Sequence, residues 1–135
     1  MWEAYDVKDE KCLWAGVGFT GGIARNQAAP CGAISAAVMA LGFHLSCDLK
    51  LKEDAKQRRL DVRDDADAVV KGMMSEFGAI SCRELVGMDF TIPGEYQRFS
   101  QSGVWKEKCN RFVEFIIRKL YELDEKRSSP PQRSG

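Results

Sequence analysis

The sequence predicts a single all-α domain, a helical bundle of about four to five helices with a glycine-rich loop before the second helix. Apolar residues recur at spacings of three and four along three long segments, and no stretch alternates apolar and polar residues as a strand does. The chain of 135 residues is long enough for one domain with a buried core. Its content of 44% hydrophobic and 30% charged residues is typical of a folded domain. We place this domain at residues 1–125 and expect the polar residues 126–135 to form a disordered tail.

The first predicted helix spans residues 7–17 and is followed by a segment dense in glycine. The apolar side of this helix consists of Leu13, Trp14 and Val17. The glycines are Gly16, Gly18, Gly21 and Gly22. Such a density of glycine ends a helix and lets the backbone approach another group closely. The spacing also matches a dinucleotide-binding fingerprint, but that motif follows a strand, and we therefore reject it here.

The second predicted helix follows Pro30 and runs to about Ser46. Proline suits the first turn of a helix, because its missing N–H would be unpaired there. The apolar face consists of Ile34, Val38, Leu41 and Leu45. Between Asn26 and Cys47 there is no Asp, Glu, Lys or Arg, yet proline, glycines and polar residues interrupt this stretch. We therefore expect a closely packed core helix that does not span a membrane.

The second half of the chain contains the clearest helical periodicity. A third helix over residues 52–77 carries the apolar stripe Val62, Ala66, Val69, Val70, Met73, Met74 and Phe77, and Gly78 ends it. Ser81 and Glu84 form a capping box for a short helix over residues 82–87. A helical piece follows over residues 95–101. The last helix, over residues 104–124, is predicted to bury Trp105, Cys109, Phe112, Val113, Ile116, Leu120 and Leu123.

Charge and cysteine content restrict the partners and the compartment. Twenty basic residues balance twenty acidic ones, which argues against a nucleic-acid partner. The first residues lack the basic and apolar regions of a secretory signal. Five cysteines in such a chain indicate a reducing compartment, where free or metal-bound thiols prevail over structural disulfides. We therefore expect a cytoplasmic protein.

Three cysteines lie where a thiol can carry chemistry. Cys31 and Cys82 are both predicted at helix starts, where free amides and the helix dipole favour a thiolate and lower its pKa. Arg83 adds a positive charge beside Cys82. Cys109 lies on the apolar face of the last helix, a position more typical of a core residue. For all three cysteines, a small buried core residue is the alternative interpretation.

Cys12 and Cys47 are weaker candidates. Cys12 lies among apolar residues, and Cys47 ends a helix, where the dipole disfavours a thiolate. No C-x-x-C pair occurs, so neither a thioredoxin-like motif nor a zinc-ribbon spacing is present. His44 is the one histidine, and it is more typical of a packed or solvated side chain than of a metal ligand.

Three segments together resemble a known family. The first runs from Gly21 to Arg25 and continues in Cys31-Gly32-Ala33, the second is Cys82-Arg83-Glu84-Leu85, and the third is Lys108-Cys109. In order and spacing they are similar to the redox-active proteins named after a cysteine, a Cys-Gly-Ala-x-x-Gly type motif and two further cysteines. The resemblance covers about residues 13–123. It implies an α-helical domain and a role in electron transfer or thiol redox, with a metal ion or an iron–sulfur centre as the cofactor to consider.

The chain departs from this family pattern in two places. Ala36 stands where the motif ends in glycine, and the leading helix with the family's first cysteine is lacking. Cys12 is too close to Cys31 to be the equivalent of that cysteine. Either Cys12 substitutes for it from a different position, or the chain has three of the four family cysteines. The missing helix would leave an apolar face uncovered, and we therefore expect a homodimer.

The sequence leaves three hypotheses open. In the first, the protein is a redox or metal-binding protein with an unknown redox partner, and the catalytic thiols or metal ligands are Cys31, Cys82 and Cys109. In the second, it is a non-catalytic helical module that acts through an oligomer or partner interface, with the cysteines in the core. In the third, it binds a small ligand at the glycine segment beside Cys31. The glycines predicted to approach a cofactor or ligand are Gly21, Gly22 and Gly32.

Overall fold

The computed structural model of the protein describes residues 3–129. Over this range the chain forms six α-helices and one 3-10 turn. The bounds are α1 Lys11–Gly16, the 3-10 turn Val17–Phe19, α2 Gly32–His44, α3 Lys52–Phe77, α4 Cys82–Val86, α5 Glu95–Ser102 and α6 Val104–Ser128. The described residues contain no β-strand, and one isolated β-bridge joins Pro30 to Ser81. The predicted all-α fold is confirmed.

The core lies between the three long helices, each of which packs against the other two. The buried residues of this core are Ile34, Ala37 and Leu41 of α2, Val69 and Met73 of α3, and Phe112, Ile116, Leu120 and Leu123 of α6. Gly72 lets α3 approach α6, since a Cβ atom there would lie 3.2 Å from the Phe115 ring. The small side chains of α2 were predicted to allow the same close packing, but Ala33, Ala36 and Ala37 line a cavity of about 230 Å³ that faces α6.

The predicted apolar faces of four helices differ from the buried ones. The helix α1 is shorter than predicted, and its apolar side chains remain largely exposed: Leu13 by 54%, Trp14 by 75% and Val17 by 59%. In α2, Ala37 is buried where Val38 was expected. In α6, Trp105 and Val113 lie at the surface, and in α3 the same holds for Met74. Periodicity identifies apolar residues, but the neighbouring helices decide which of them are covered.

The ends of the helices follow their capping residues. The bounds of α3 are those predicted, and Gly78 ends the helix with φ +75° and donates its N–H to the Met74 carbonyl. Ser81 caps α4, because its hydroxyl oxygen accepts the Glu84 N–H at 3.2 Å. The Glu84 carboxylate accepts from the Ser81 hydroxyl, whereas the capping box predicted a bond to the Ser81 backbone.

The helix α6 continues to Ser128, beyond the predicted end at residue 124. Arg127 in its last turn forms ion pairs with Asp61 and Asp65 of α3, which hold this turn against the bundle. The first residues of the predicted tail are therefore helical, and residues 130–135 lie outside the described range. Between residues 3 and 129, none of the helices combines the length and the apolar character that crossing a membrane requires.

Candidate functional site

A short backbone crossing joins the starts of α2 and α4. Pro30 and Ser81 face each other in an antiparallel β-bridge. The Cys31 N–H donates to the Ile80 carbonyl at 2.8 Å, and the Cys82 N–H donates to the Ala29 carbonyl at 3.3 Å. These bonds flank the bridged pair, so the proline needs no N–H of its own at this position. Since both donors belong to cysteines, the bridge fixes the two cysteine backbones relative to each other.

Cys31, Cys82 and Cys109 line one cavity of about 400 Å³. Cys31 is the N-cap residue of α2, Cys82 is the first residue of α4, and Cys109 lies in the second turn of α6. Cys82 is buried and the other two are half-buried, and all three carry free thiols. The structure thus brings the three predicted site cysteines to one place, while their roles remain a prediction.

The glycine segment before α2 forms a left-handed turn beside this cavity. The φ angles are +63° at Gly21, +64° at Gly22, +63° at Ile23, +49° at Ala24 and +66° at Arg25. Glycine adopts such angles freely, but each of the three other residues costs about 1–2 kcal/mol in this conformation. Strained turns of this kind persist where the surrounding structure fixes them, commonly at functional sites.

The three predicted glycines have different surroundings. Gly21 and Gly32 line the cavity, while their role toward a ligand stays a prediction. Gly22 does not line it and packs against Cys82, because a Cβ atom there would lie 3.2 Å from the Cys82 Cβ and 2.7 Å from the Ala29 carbonyl oxygen. A Cβ atom on Gly32 would lie 3.0 Å from the Phe19 carbonyl oxygen. These glycines therefore allow the close packing of backbone around the cysteines.

Gln27 is a site residue that the sequence did not indicate. It is fully buried, with 0% exposure, and has φ +61°. Its side-chain amide donates to the Met88 carbonyl at 2.8 Å and accepts the Phe90 N–H at 2.7 Å. The same amide nitrogen lies 4.0 Å from the Cys82 sulfur. Gln27 thereby ties the glycine turn to the segment after α4 and offers a donor to Cys82. A single polar residue in a loop has no periodicity that could have revealed this role.

Burial dominates the acidity of the first two thiols. It raises the pKa of Cys31, although the N–H groups of Ala33 and Ile34 oppose this by donating to the sulfur. Burial also raises the pKa of Cys82, and the negative charge of an ionised Cys31 raises it further, while Gln27 opposes both effects. The predicted lowering of the pKa at these helix starts is therefore wrong. The amides are in place at Cys31, but the loss of water outweighs them.

The pKa of Cys109 is shifted strongly. Burial raises its pKa to about 11, helped by the charges of Cys31 and Cys82 and opposed by Lys108. Arg83 does not supply the positive charge predicted beside Cys82, because it pairs with Asp89 at 3.2 Å. The three thiols influence one another, so ionisation of one disfavours ionisation of the others. Burial therefore favours the protonated form of all three thiols in this cavity.

The site residues do not fit a metal ion in this arrangement. Among residues 3–129, no three Cys, His, Asp or Glu side chains are grouped closely enough to hold one. The three thiols share a cavity without forming a common ligand set. The predicted use of Cys31, Cys82 and Cys109 as metal ligands thus has no preformed geometry in the described part of the chain.

The remaining candidates lie apart from this cavity. Cys12 lines a neighbouring cavity of about 370 Å³, and Cys47 lines another of about 330 Å³. Cys12 is therefore not placed with the three site cysteines. The His44 Nε2 atom lies 3.1 Å from the Asp124 Oδ1 atom, and the His44 ring stacks on the Tyr5 ring with centroids 4.0 Å apart. His44 is therefore a packed side chain, one of the two roles that the sequence favoured over a metal ligand.

The fold and the cavity define a small helical protein with a cluster of thiols. The model of a family described as "Putative redox-active protein (C_GCAxxG_C_C)" matches residues 1–123. The chain belongs to this family of redox-active proteins, and the resemblance drawn from its sequence is confirmed. One detail of it is wrong: in the family pattern the motif cysteine stands between glycine and alanine, so with Cys31 at that position the last glycine falls at Ser35 and not at Ala36. No curated protein and no solved structure matches the chain.

Proposed function

We propose that this protein is a thiol redox protein in which Cys31 forms a disulfide with Cys82 or Cys109 during turnover. Membership of a redox-active family supports a redox role in general. The proposal of a disulfide between these cysteines rests on one observation: three free thiols line the same cavity. The bridge between Pro30 and Ser81 adds to it, because it keeps two of these cysteines in a fixed relation.

Cys31 is the attacking thiol in this scheme. Two backbone amides already donate to its sulfur and would stabilise the thiolate that attacks. With a disulfide substrate, Cys31 forms a mixed disulfide and releases one substrate thiol. A second cysteine of the cavity then attacks the Cys31 sulfur and releases the other thiol. Two protein thiols become one disulfide and the substrate disulfide becomes two thiols, so two electrons and two protons pass to the substrate.

The test is oxidation of the native protein by glutathione disulfide, followed by peptide mapping in a mass spectrometer. We expect a disulfide that joins Cys31 to Cys82 or Cys109. Cys31→Ser should abolish it, whereas the matched variant Cys47→Ser, in a different cavity, should leave it unchanged. Oxidation that leaves the cavity thiols free would contradict the proposal.

Metal binding by the same sulfurs is the competing use of this site. Elemental analysis of protein purified without oxygen decides between the two. Stoichiometric metal that is lost in Cys31→Ser and retained in Cys47→Ser would favour a metal centre over the dithiol. Protein free of metal that still forms the disulfide supports thiol redox.

We further propose that the protein works in the cytoplasm as a homodimer. Free thiols suit a reducing compartment. Leu13, Trp14 and Val17 are each more than half exposed on or just after α1, and a second copy of the chain would cover them. Sedimentation equilibrium should give the mass of a dimer that Trp14→Glu converts to a monomer. A monomeric native protein would overturn this part of the proposal.

A further inference from the structure

Aromatic side chains form one wall of the cysteine cavity. Phe90, Tyr96 and Phe99 form a cluster in which the Phe90 ring lies 5.3 Å from Tyr96 and 5.0 Å from Phe99, centroid to centroid. All three line the cavity, together with Phe19 and Phe112. A pocket of this size with aromatic walls suits a flat apolar ring, which gains contact area on both of its faces.

Polar groups are few in this cavity. Among the described residues that line it, Arg25 is the one charged side chain, and none is acidic. The Arg25 guanidinium lies 4.7 Å from the centroid of the Tyr96 ring, at the edge of the aromatic cluster. The Thr20 hydroxyl is already engaged, because it donates to the Val17 carbonyl at 3.0 Å. The Tyr96 hydroxyl is a second, neutral donor in the lining, so the cavity offers a ligand one charged and one neutral side-chain donor beside aromatic and thiol surfaces.

We propose that this cavity binds a quinone and that its thiols reduce the quinone to the hydroquinone. This inference rests on the proposed thiol redox function and names its electron acceptor. A quinone needs apolar contact for its ring and a donor for a carbonyl oxygen, and the aromatic cluster and Arg25 supply these. An isoalloxazine ring would need several polar partners along its pyrimidine edge, whereas Arg25 and Tyr96 are the donors that this lining leaves for a ligand, apart from the thiols.

The reaction balances without a further co-reactant. Cys31 and a second cavity thiol lose two electrons and two protons and form one S–S bond. The quinone takes up the same two electrons and two protons, one proton on each carbonyl oxygen. The Arg25 guanidinium would donate to the carbonyl oxygen on which negative charge develops.

The test uses tetramethyl-1,4-benzoquinone with the native reduced protein in the absence of oxygen. Its fully substituted ring has no C–H position to which a thiol can add, so loss of its absorbance reports electron transfer. We expect one hydroquinone per protein disulfide. Phe99→Leu and Arg25→Met should each raise the half-saturating quinone concentration by about tenfold, the loss expected for one aromatic or charge-assisted contact. Phe43→Leu, in the neighbouring cavity, should leave it unchanged.

The failure of this inference can be told apart from that of the proposed function. Oxidation by glutathione disulfide without any reaction with the quinone would overturn the quinone inference and leave thiol redox standing. Reaction with neither oxidant would overturn both. Quinone reduction that is equal in Phe99→Leu, Arg25→Met and Phe43→Leu would show that the quinone reacts elsewhere. Thermal midpoints close to that of the native protein verify that the variants are folded.

Discussion

Replacement of the buried Gln27 by leucine tests how the glycine turn is held. Leucine has a similar volume, so the change removes hydrogen bonds without creating a large cavity. The Met88 carbonyl and the Phe90 N–H would lose their 2.8 Å and 2.7 Å bonds to the Gln27 side chain. A fully buried polar group left without a partner costs about 1–3 kcal/mol. Both bonds are part-buried, so Gln27→Leu should lower the free energy of unfolding by about 2–3 kcal/mol, the lower part of the range for two groups.

Urea denaturation followed by circular dichroism measures this effect. Gln57→Leu is the matched control, because Gln57 makes one exposed hydrogen bond, to Asp61 at 3.0 Å. Its loss should change the free energy of unfolding by less than about 0.5 kcal/mol. Equal effects of the two substitutions would refute the reasoning, since water would then be replacing the bonds of Gln27.

The same variant also probes the thiol that Gln27 faces. The Gln27 amide opposes the rise in the pKa of Cys82. Without it the pKa should rise further, and alkylation of Cys82 at neutral pH should slow down. The pH profile of alkylation at Cys82 should therefore differ between the native protein and Gln27→Leu. Identical profiles would show that the Gln27 amide, 4.0 Å from the Cys82 sulfur, has no electrostatic effect on it.

Three further perturbations have defined outcomes. Gly22→Ala should destabilise the protein by more than Gly78→Ala, although both glycines have positive φ. A Cβ atom at residue 22 would lie 2.7 Å from a carbonyl oxygen, whereas one at residue 78 would meet nothing within 4 Å. Equal urea midpoints of the two variants would contradict this. The pKa of Cys109 is raised to about 11 in the folded protein, so the folded state keeps a proton that the unfolded chain loses above about pH 9. The free energy of unfolding should therefore fall as the pH rises from about 9 to about 11. This fall should be smaller in Cys109→Ser, and an unchanged slope would count against the raised pKa. Arg127→Ala should cost about 0.5–1 kcal/mol at low salt and less at high salt, because its ion pairs with α3 are only partly buried, and a salt-independent loss would point to packing instead.

The sequence predicted those elements of the fold that depend on local chemistry. The bounds of α3 follow from its amphipathic stripe and from the glycine at its end, and the start of α4 follows from the Ser81 cap. The exposure of Trp14 and Trp105 could not be predicted in this way, because it depends on which helices pack over them. Local patterns therefore identify helices, whereas tertiary packing decides which side of each helix is buried.

The candidate site was predictable in its residues and less so in its electrostatics. Cys31 and Cys82 could be assigned to helix starts from Pro30 and Ser81, and the structure places both on the same cavity. The direction of their pKa shifts was wrong because burial cannot be read from a position at a helix start. Gln27 gave no local signal, since its side chain bonds to residues more than fifty positions away.

The backbone crossing at Pro30 and Ser81 connects the chemistry of two cysteines to a measurable property of their backbone. Its two hydrogen-bond donors are the amides of Cys31 and Cys82 themselves. Any change in bonding at either sulfur that displaces the backbone must stretch one of these two bonds. We therefore expect the rates at which these two amide protons exchange with deuterated water to change with the oxidation state of the sulfurs, and nuclear magnetic resonance spectroscopy can follow each amide separately.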